Sequence, residues 1–380
     1  MPDSGHPASR LGRFARGVRV LDLSWFLPGP LASLLLADMG AEVLKIEPPD
    51  GDPMRALGPR DDADAPVFHT AVNAGKTVLR LDLKRPADHA AFLDLVRGAD
   101  VLIEGFRPGV MARLGADWPS LRRVNPRLIY CSISGYGASG PLAQSAGHDN
   151  NYLATAGIMH RNGEDAPAFL DPPVADSSGA LFAALAIMGA LHARQQDGRG
   201  CHIDLALADV AMPLQLFQLA GYGATGEVPQ RGGTYLNGGA AYYRSYRCAD
   251  GRHVALGAIE EKFWRAFCLA AARPGWITRQ TEPLPQTALI ADVQALFAGL
   301  TRDAAVARFG PADCCVSAVL DLGEAVASPH HVARGLVRRD SGGALQALFP
   351  ALVDGMPPAP RPALDETDVD AILPPVGAAK

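Results

Sequence analysis

Apolar residues in the first half of the chain come in short unbroken runs set between amphipathic stretches. Gly17–Ser24 (GVRVLDLS), Glu42–Glu47 (EVLKIE), Thr77–Leu83 (TVLRLDL), Val101–Phe106 (VLIEGF) and Leu128–Ser134 (LIYCSIS) read as buried strands. Leu31–Met39, introduced by Pro28-Gly29-Pro30, and Pro86–Arg97 read as helices between them. Near-continuous apolar strands alternating with helices predict an α/β fold, with a Rossmann-like parallel sheet covered on both faces and right-handed crossovers. A long helical pattern then runs from residue 176 to Gln196, stopped by Asp197-Gly198, with a further strand at 200–207.

Beyond a Gly-rich link from Gly232 to Gly239 the pattern changes. Tyr242–Arg247 and His253–Ala258, joined through the turn signal Ala249-Asp250-Gly251, predict antiparallel strands. Helical periodicity follows at Phe263–Ala272, Ala288–Gly299 and Asp303–Phe309. These shifts predict a large α/β domain over residues 1–224 and a smaller α+β domain over 225–325. The segment 326–380, with Pro357, Pro358, Pro360 and Pro362, reads as an extended tail lying on another surface.

Bulk properties narrow the function classes. A chain of 380 residues exceeds one ordinary core, which makes two domains the default. A net charge of −5 offers no large electrostatic footprint for nucleic acid. No apolar run is read as reaching the roughly 20 residues that span a bilayer, so no membrane partner is expected. The six cysteines are scattered without a C-x-x-C pair, which argues against a zinc site and against any metal centre built on them. With no secretory signal in view, reduced thiols and a cytoplasmic location are expected. Residues 1–17, with Arg10, Arg13 and Arg16 and no apolar core, read as a loose extension rather than a transit peptide.

Five residues could carry chemistry, each with a plainer structural reading. Asp176 stands where the loop Asp171-Pro172-Pro173 gives way to the long helix, so it is either an ordinary helix cap or a base held ionised by the helix dipole. His148, in Gly147-His148-Asp149, is either an exposed histidine or a proton carrier near neutral pH. Glu260 and Glu261 sit at a strand-to-helix junction, where one acid commonly serves only the helix start. Arg107 follows a strand and faces the crevice where parallel sheets bind ligands, although a structural ion pair is as good a reading. The Pro-Gly-Pro turn before the first helix matches neither G-x-G-x-x-G nor the P-loop.

The runs VRVLDLSWFLPGPLASLLLADMGAEVLKIEPPDGDPMR (18–55), NAGKTVLRLDLK (73–84), EGFRPGVMARLG (104–115) and LIYCSISGYGASGP (128–141) resemble the family III CoA transferases. That family holds transferases, which move CoA between carboxylic acids through a covalent Asp, and α-methylacyl-CoA racemases. Asp176 matches the Asp common to both. Gly147-His148-Asp149 and Gly257-Ala258-Ile259-Glu260 resemble the racemase motifs. The resemblance therefore implies inversion of 2-methylacyl-CoA thioesters, with Asp176 and His148 as the two proton carriers and Glu260 orienting His148. It implies the Asp149 backbone N–H as donor to an enolate oxygen, and Arg107, Lys76, Arg80 and Lys45 as candidates for CoA. Ala74 stands where the family usually has an Arg contact to CoA. The alternative is a transferase with Asp176 as nucleophile and the 232–239 segment shielding its intermediates. Either way CoA arrives as part of the substrate, no metal or separate cofactor is needed, and the family's interlocked homodimer is expected, its tail returning to the large domain.

Overall fold

The computed structural model describes residues 9–373. The chain divides into two compact units. The first comprises the chain up to Ala156, Asp171–Leu214 and everything from Ser328; the second comprises Gly157–Leu170 and Gln215–Ala327.

The first unit is built on strands β1 (Arg19–Asp22), β2 (Glu42–Glu47), β3 (Thr77–Arg80), β4 (Val101–Glu104), β5 (Ile129–Ser134) and β6 (His202–Ala206). They pair in parallel in the order β3-β2-β1-β4-β5-β6, and the strand Asp365–Glu366 adds itself in parallel beside β3. The tail thus completes the edge of this sheet. Helices α1 (Pro28–Asp38), α2 (Val67–Asn73), α3 (Pro86–Arg97), α4 (Trp118–Val124), α5 (Asp149–Thr155) and α6 (Val174–Asp197) connect and cover the strands. Leu21, Leu44, Leu79, Leu102 and Tyr130 are buried against Phe92, Leu95 and Val96 of α3. The apolar runs of β1, β2, β4 and β5 are nearly continuous because these strands are buried on both faces.

The first helix starts at Pro28 rather than Leu31, because prolines lack only a donor that a helix start leaves unpaired anyway. Gly29 is required there: a Cβ would stand 2.1 Å from the Ser24 hydroxyl oxygen. The N-terminal extension lies partly outside the described residues, and the described part is not loose. Leu11 and Ala15 are buried, and the Ala15 N–H donates to the Met39 carbonyl at 2.8 Å.

The sequence-based reading of apolar runs also needs correction at α6. This 24-residue helix is long and apolar enough to cross a membrane. Here one face of it packs against α1, α5, β5 and β6, while Leu181 and Leu185 stay exposed. Ala175, Ala180, Ala183 and Ile187 are buried, and its ends carry Asp176 and Arg194.

The second unit holds an antiparallel sheet of β7 (Tyr243–Arg247), β8 (His253–Gly257) and β9 (Val316–Ala318). Its helices are α7 (Leu216–Thr225), α8 (Glu261–Ala270), α9 (Thr287–Ala298) and α10 (Arg302–Phe309). The core is aromatic: Tyr246 and Phe267 each stack on Phe297, and Trp264 stacks on Phe267. The segment Gly157–Leu170, for which no sequence signal marks a separation from its neighbours, groups with this unit and pairs its Glu164 with Arg244 at 3.0 Å.

Candidate active site

The strand order reverses at β1, whose neighbours are β2 and β4, and ligands of open α/β sheets bind beyond the carboxyl ends at such a point. Two loops meet there. Trp25, after β1, stands edge-on to Phe106, after β4, with ring centroids 5.0 Å apart. Arg107 follows Phe106 and is exposed. Trp25 also carries a buried indole Nε1 with no hydrogen-bond partner among the described residues, a donor open to an acceptor on a bound ligand.

The next two loops bring His148, Asp149 and Asp176 together. His148 is the residue before α5; its backbone N–H donates to Asn151 Oδ1 at 3.1 Å, and its side chain is exposed. The Asp149 N–H opens the helix and is one of the donors that a helix start leaves unpaired. The Asp149 carboxylate accepts the backbone N–H of Asp176 at 3.0 Å, across 27 residues of sequence. That bond ties the His148 loop to the first turn of α6. Tyr152 seals it from below: its hydroxyl donates to the Gly147 carbonyl at 2.5 Å, and its ring lies edge-on to Tyr136. Burial, then the charges of Asp176 and Asp149 with the Tyr136 hydroxyl, push the Tyr152 phenol up to about 12, with Arg107 pulling the other way. The loops after β4 and β5 and the start of α6 therefore share one electrostatic neighbourhood.

Asp176 is not a helix cap. Pro173 occupies that position, and Asp176 sits in the first turn with its side chain half-buried. Nor is it held strongly ionised by the dipole, as its position alone suggested. Burial, followed by repulsion from Asp149, pushes its carboxyl up to about 6. Such a group both removes and returns a proton near neutral pH.

The basic residues proposed for CoA divide into two kinds. Lys45 and Lys76 are fully buried, which corrects the expectation that they reach a phosphate. Lys45 Nζ donates to Asp52 at 2.9 Å and to the Ser24 carbonyl. Lys76 Nζ donates to the Pro30 carbonyl and Asn73 Oδ1, both at 2.8 Å, and pairs with Asp22 at 3.2 Å. They hold the loop after β1 in place from beneath. Arg80, at the end of β3, stays exposed, donating to the Pro49 carbonyl at 3.0 Å and lying 3.8 Å from the Glu366 carboxylate. Arg107 is also exposed. Glu47, Asp52 and His69 converge as metal ligands would, but each is already engaged: Glu47 by Arg55 and by a hydrogen bond with His69, Asp52 by Lys45. Glu260 belongs to the second unit, as the residue preceding α8.

Comparison with known proteins decides the family. The profile of CoA-transferase family III matches residues 16–367. The chain belongs to that family.

Family III relatives of both chemistries resemble it. The α-methylacyl-CoA racemase of Homo sapiens is 34% identical over 330 residues, covering 84% of this chain and 81% of that protein. The acetyl-CoA:oxalate CoA-transferase of Acetobacter aceti is 42% identical over 234 residues. That alignment spans 59% of this chain and 58% of the transferase. Among solved structures, a CAIB/BAIF family protein from Brucella suis superposes with a TM-score of 0.81 at 28% identity, covering 92% of this chain and 96% of that one. The chain is thus an enzyme of the family III CoA-transferase superfamily, whose relatives act on CoA thioesters. Sequence reasoning missed the Asp149 side chain as the link to Asp176, since nothing in the spacing announces a bond across 27 residues.

Proposed function

We propose that this family III enzyme is a racemase of 2-methylacyl-CoA thioesters. The observation that carries this reading is the Asp149–Asp176 bond, which sets the His148 loop against the turn bearing Asp176. A thioester α-proton is weakly acidic, so its removal needs a nearby base and a donor at the developing enolate oxygen. Asp176 takes the proton from one face, the electron pair moves onto the thioester oxygen, and the Asp149 N–H stabilises the charge there. His148 then gives a proton to the opposite face. For the other enantiomer the two exchange roles. A carboxyl that titrates at about 6 suits this alternation better than one fixed as an anion. Of the four basic residues considered for CoA, the two exposed ones, Arg107 and Arg80, are assigned to its phosphates.

The Acetobacter aceti relative favours a second reading, in which Asp176 attacks the thioester carbonyl and expels CoA as thiolate. The thiolate then attacks the Asp176 carbonyl of the mixed anhydride, releasing the donor acid and leaving an aspartyl-CoA thioester, from which an acceptor carboxylate takes up CoA by the reverse steps. Deuterium exchange separates the two. Incubation with a 2-methylacyl-CoA in deuterated water, without acceptor acid, is expected to place deuterium at the α-carbon with scrambled configuration. In His148→Ala that exchange is expected to fall about 100-fold or more. No exchange, with CoA moving only on addition of a second carboxylic acid, makes the chain a transferase.

The proposal includes a homodimer. Helix α7 buries none of its residues although Leu216, Phe217 and Tyr222 lie along it, with Phe217 75% exposed. An apolar helix left uncovered calls for a second surface. Sedimentation equilibrium is expected to give twice the 39.9 kDa of one chain; a monomer at micromolar concentration removes this part of the reading.

A further inference from the structure

A second cavity, of about 260 Å³, opens at the end of the first unit opposite Asp176. Arg16 reaches it from just before β1, Arg127 from just before β5, and His192 and Arg194 from the last turns of α6. These are the amino ends of the strands, whereas Arg107 and His148 lie beyond the carboxyl ends. Asp176 and Arg194 are eighteen positions apart on one helix, about 27 Å at the helical rise. The cavity is distinct from the crevice described above.

Its lining combines cationic and apolar side chains. No Asp or Glu lines it, and Phe14 and Leu191 supply apolar surface. Arg194 is buried and fixed, donating to Asp100 Oδ1 at 2.7 Å and to the Arg127 carbonyl at 3.0 Å. Asp100 therefore balances one of the three guanidiniums. Arg127 is held by a single bond from Nη1 to the Gly198 carbonyl at 3.1 Å. The Arg16 guanidinium and the His192 ring make no hydrogen bond or ion pair among the described residues. A helix dipole accounts for cations at the end of α6. It does not account for Arg16 and Arg127, which come from two separate loops and converge on the same space.

We propose that this cavity binds a small organic anion with an apolar arm, its carboxylate or phosphate head held by Arg16 and Arg127. Guanidinium forks match the planar or tetrahedral oxygens of either head, and Phe14 and Leu191 receive the arm. A bare inorganic ion would leave Phe14 and Leu191 unused, and a polymer would not enter so small a space. The inference stands apart from the choice between racemase and transferase.

Calorimetric titration of the whole protein with hexanoate and with hexyl phosphate tests it. At least one is expected to bind saturably, and the stronger of the two identifies the head group. In the Arg16→Gln/Arg127→Gln double variant the affinity is expected to fall about tenfold or more, while in Arg107→Gln it stays unchanged. Should the double variant fail to fold, the His192 ring resonances of the wild-type protein serve instead and are expected to shift during the titration. Absence of binding by both anions overturns the proposal. So does binding that the double variant retains in full, or a titration that leaves the His192 resonances unmoved.

Discussion

Asp176→Asn is expected to lower turnover of acyl-CoA substrates about 10³-fold or more, with the fold intact. Both mechanisms open to the family III enzyme need this carboxylate, as base or as nucleophile, and an amide is neither. Among the described residues the carboxylate accepts no hydrogen bond; the bond at this position comes from the backbone N–H, which Asn keeps. The substitution also removes a burden. Because folding raises the Asp176 pKa from its ordinary value to about 6, the folded state binds the extra proton between those two values. The cost of ionising it is present in full above about pH 6. At pH 7 the Asn protein is therefore expected to melt no lower than wild type, a pairing of lost activity with undiminished stability that an ordinary structural residue does not give. The same shift sets the pH profile. The rate that depends on ionised Asp176 falls as pH drops through about 6. Asp149→Asn keeps an oxygen for the Asp176 N–H but removes the neighbouring charge, so its acid limb moves to lower pH. Activity within tenfold of wild type in Asp176→Asn, or an acid limb that Asp149→Asn leaves in place, contradicts this assignment.

Much of this was legible in the sequence, and the exceptions have physical causes. The strands stood out because a strand buried on both faces must be apolar throughout. Their ends did not: Gly105 and Phe106 continue the apolar run of β4 but already belong to the loop that meets Trp25. His148 and Asp176 were visible as motif residues, yet what joins them is a side chain bonding to a distant backbone N–H. Lys45 and Lys76 were misread for a reason the pattern itself contained. Within Glu42–Glu47 a lysine looks as if it reaches outward, but a parallel sheet covered on both sides has no outward face. Such a lysine must be buried, and a buried lysine must find a carboxylate.

That carboxylate leads to the second large effect expected of this chain. Asp22 is fully buried and accepts from the Ser24 N–H at 3.0 Å, from the Ser24 and Ser33 hydroxyls, and from Lys76. Burial alone would raise its pKa, but Lys45, Lys76 and the two hydroxyls outweigh burial and hold it at about 2. Lys76 is in the opposite position: burial, with repulsion from Lys45, brings it down to about 8 despite the pull of Asp22. Each partner is tolerable only because the other is present. Asp22→Ala leaves the buried Lys76 ammonium without its ion-pair partner, while Lys45 keeps Asp52, and Lys76→Met takes from Asp22 the lysine it is paired with. Each single change is expected to cost about 3–5 kcal/mol, a fall in melting temperature of about 10 °C for a unit of this size. Asp22→Ala/Lys76→Met removes both charges at once and is expected to cost clearly less than the two single changes added together. Scanning calorimetry of the four proteins measures this coupling. The loop from Ser24 to Pro30 is the element at stake, because Lys45 grips it by the Ser24 carbonyl and Lys76 by the Pro30 carbonyl. Trp25 rides on that loop, so each single variant is also expected to raise KM for acyl-CoA while leaving the chemistry of Asp176 in place. Strictly additive losses, or single variants that melt within about 3 °C of wild type, would mean that the lysines are neutral in the folded chain and that the loop is held by packing alone.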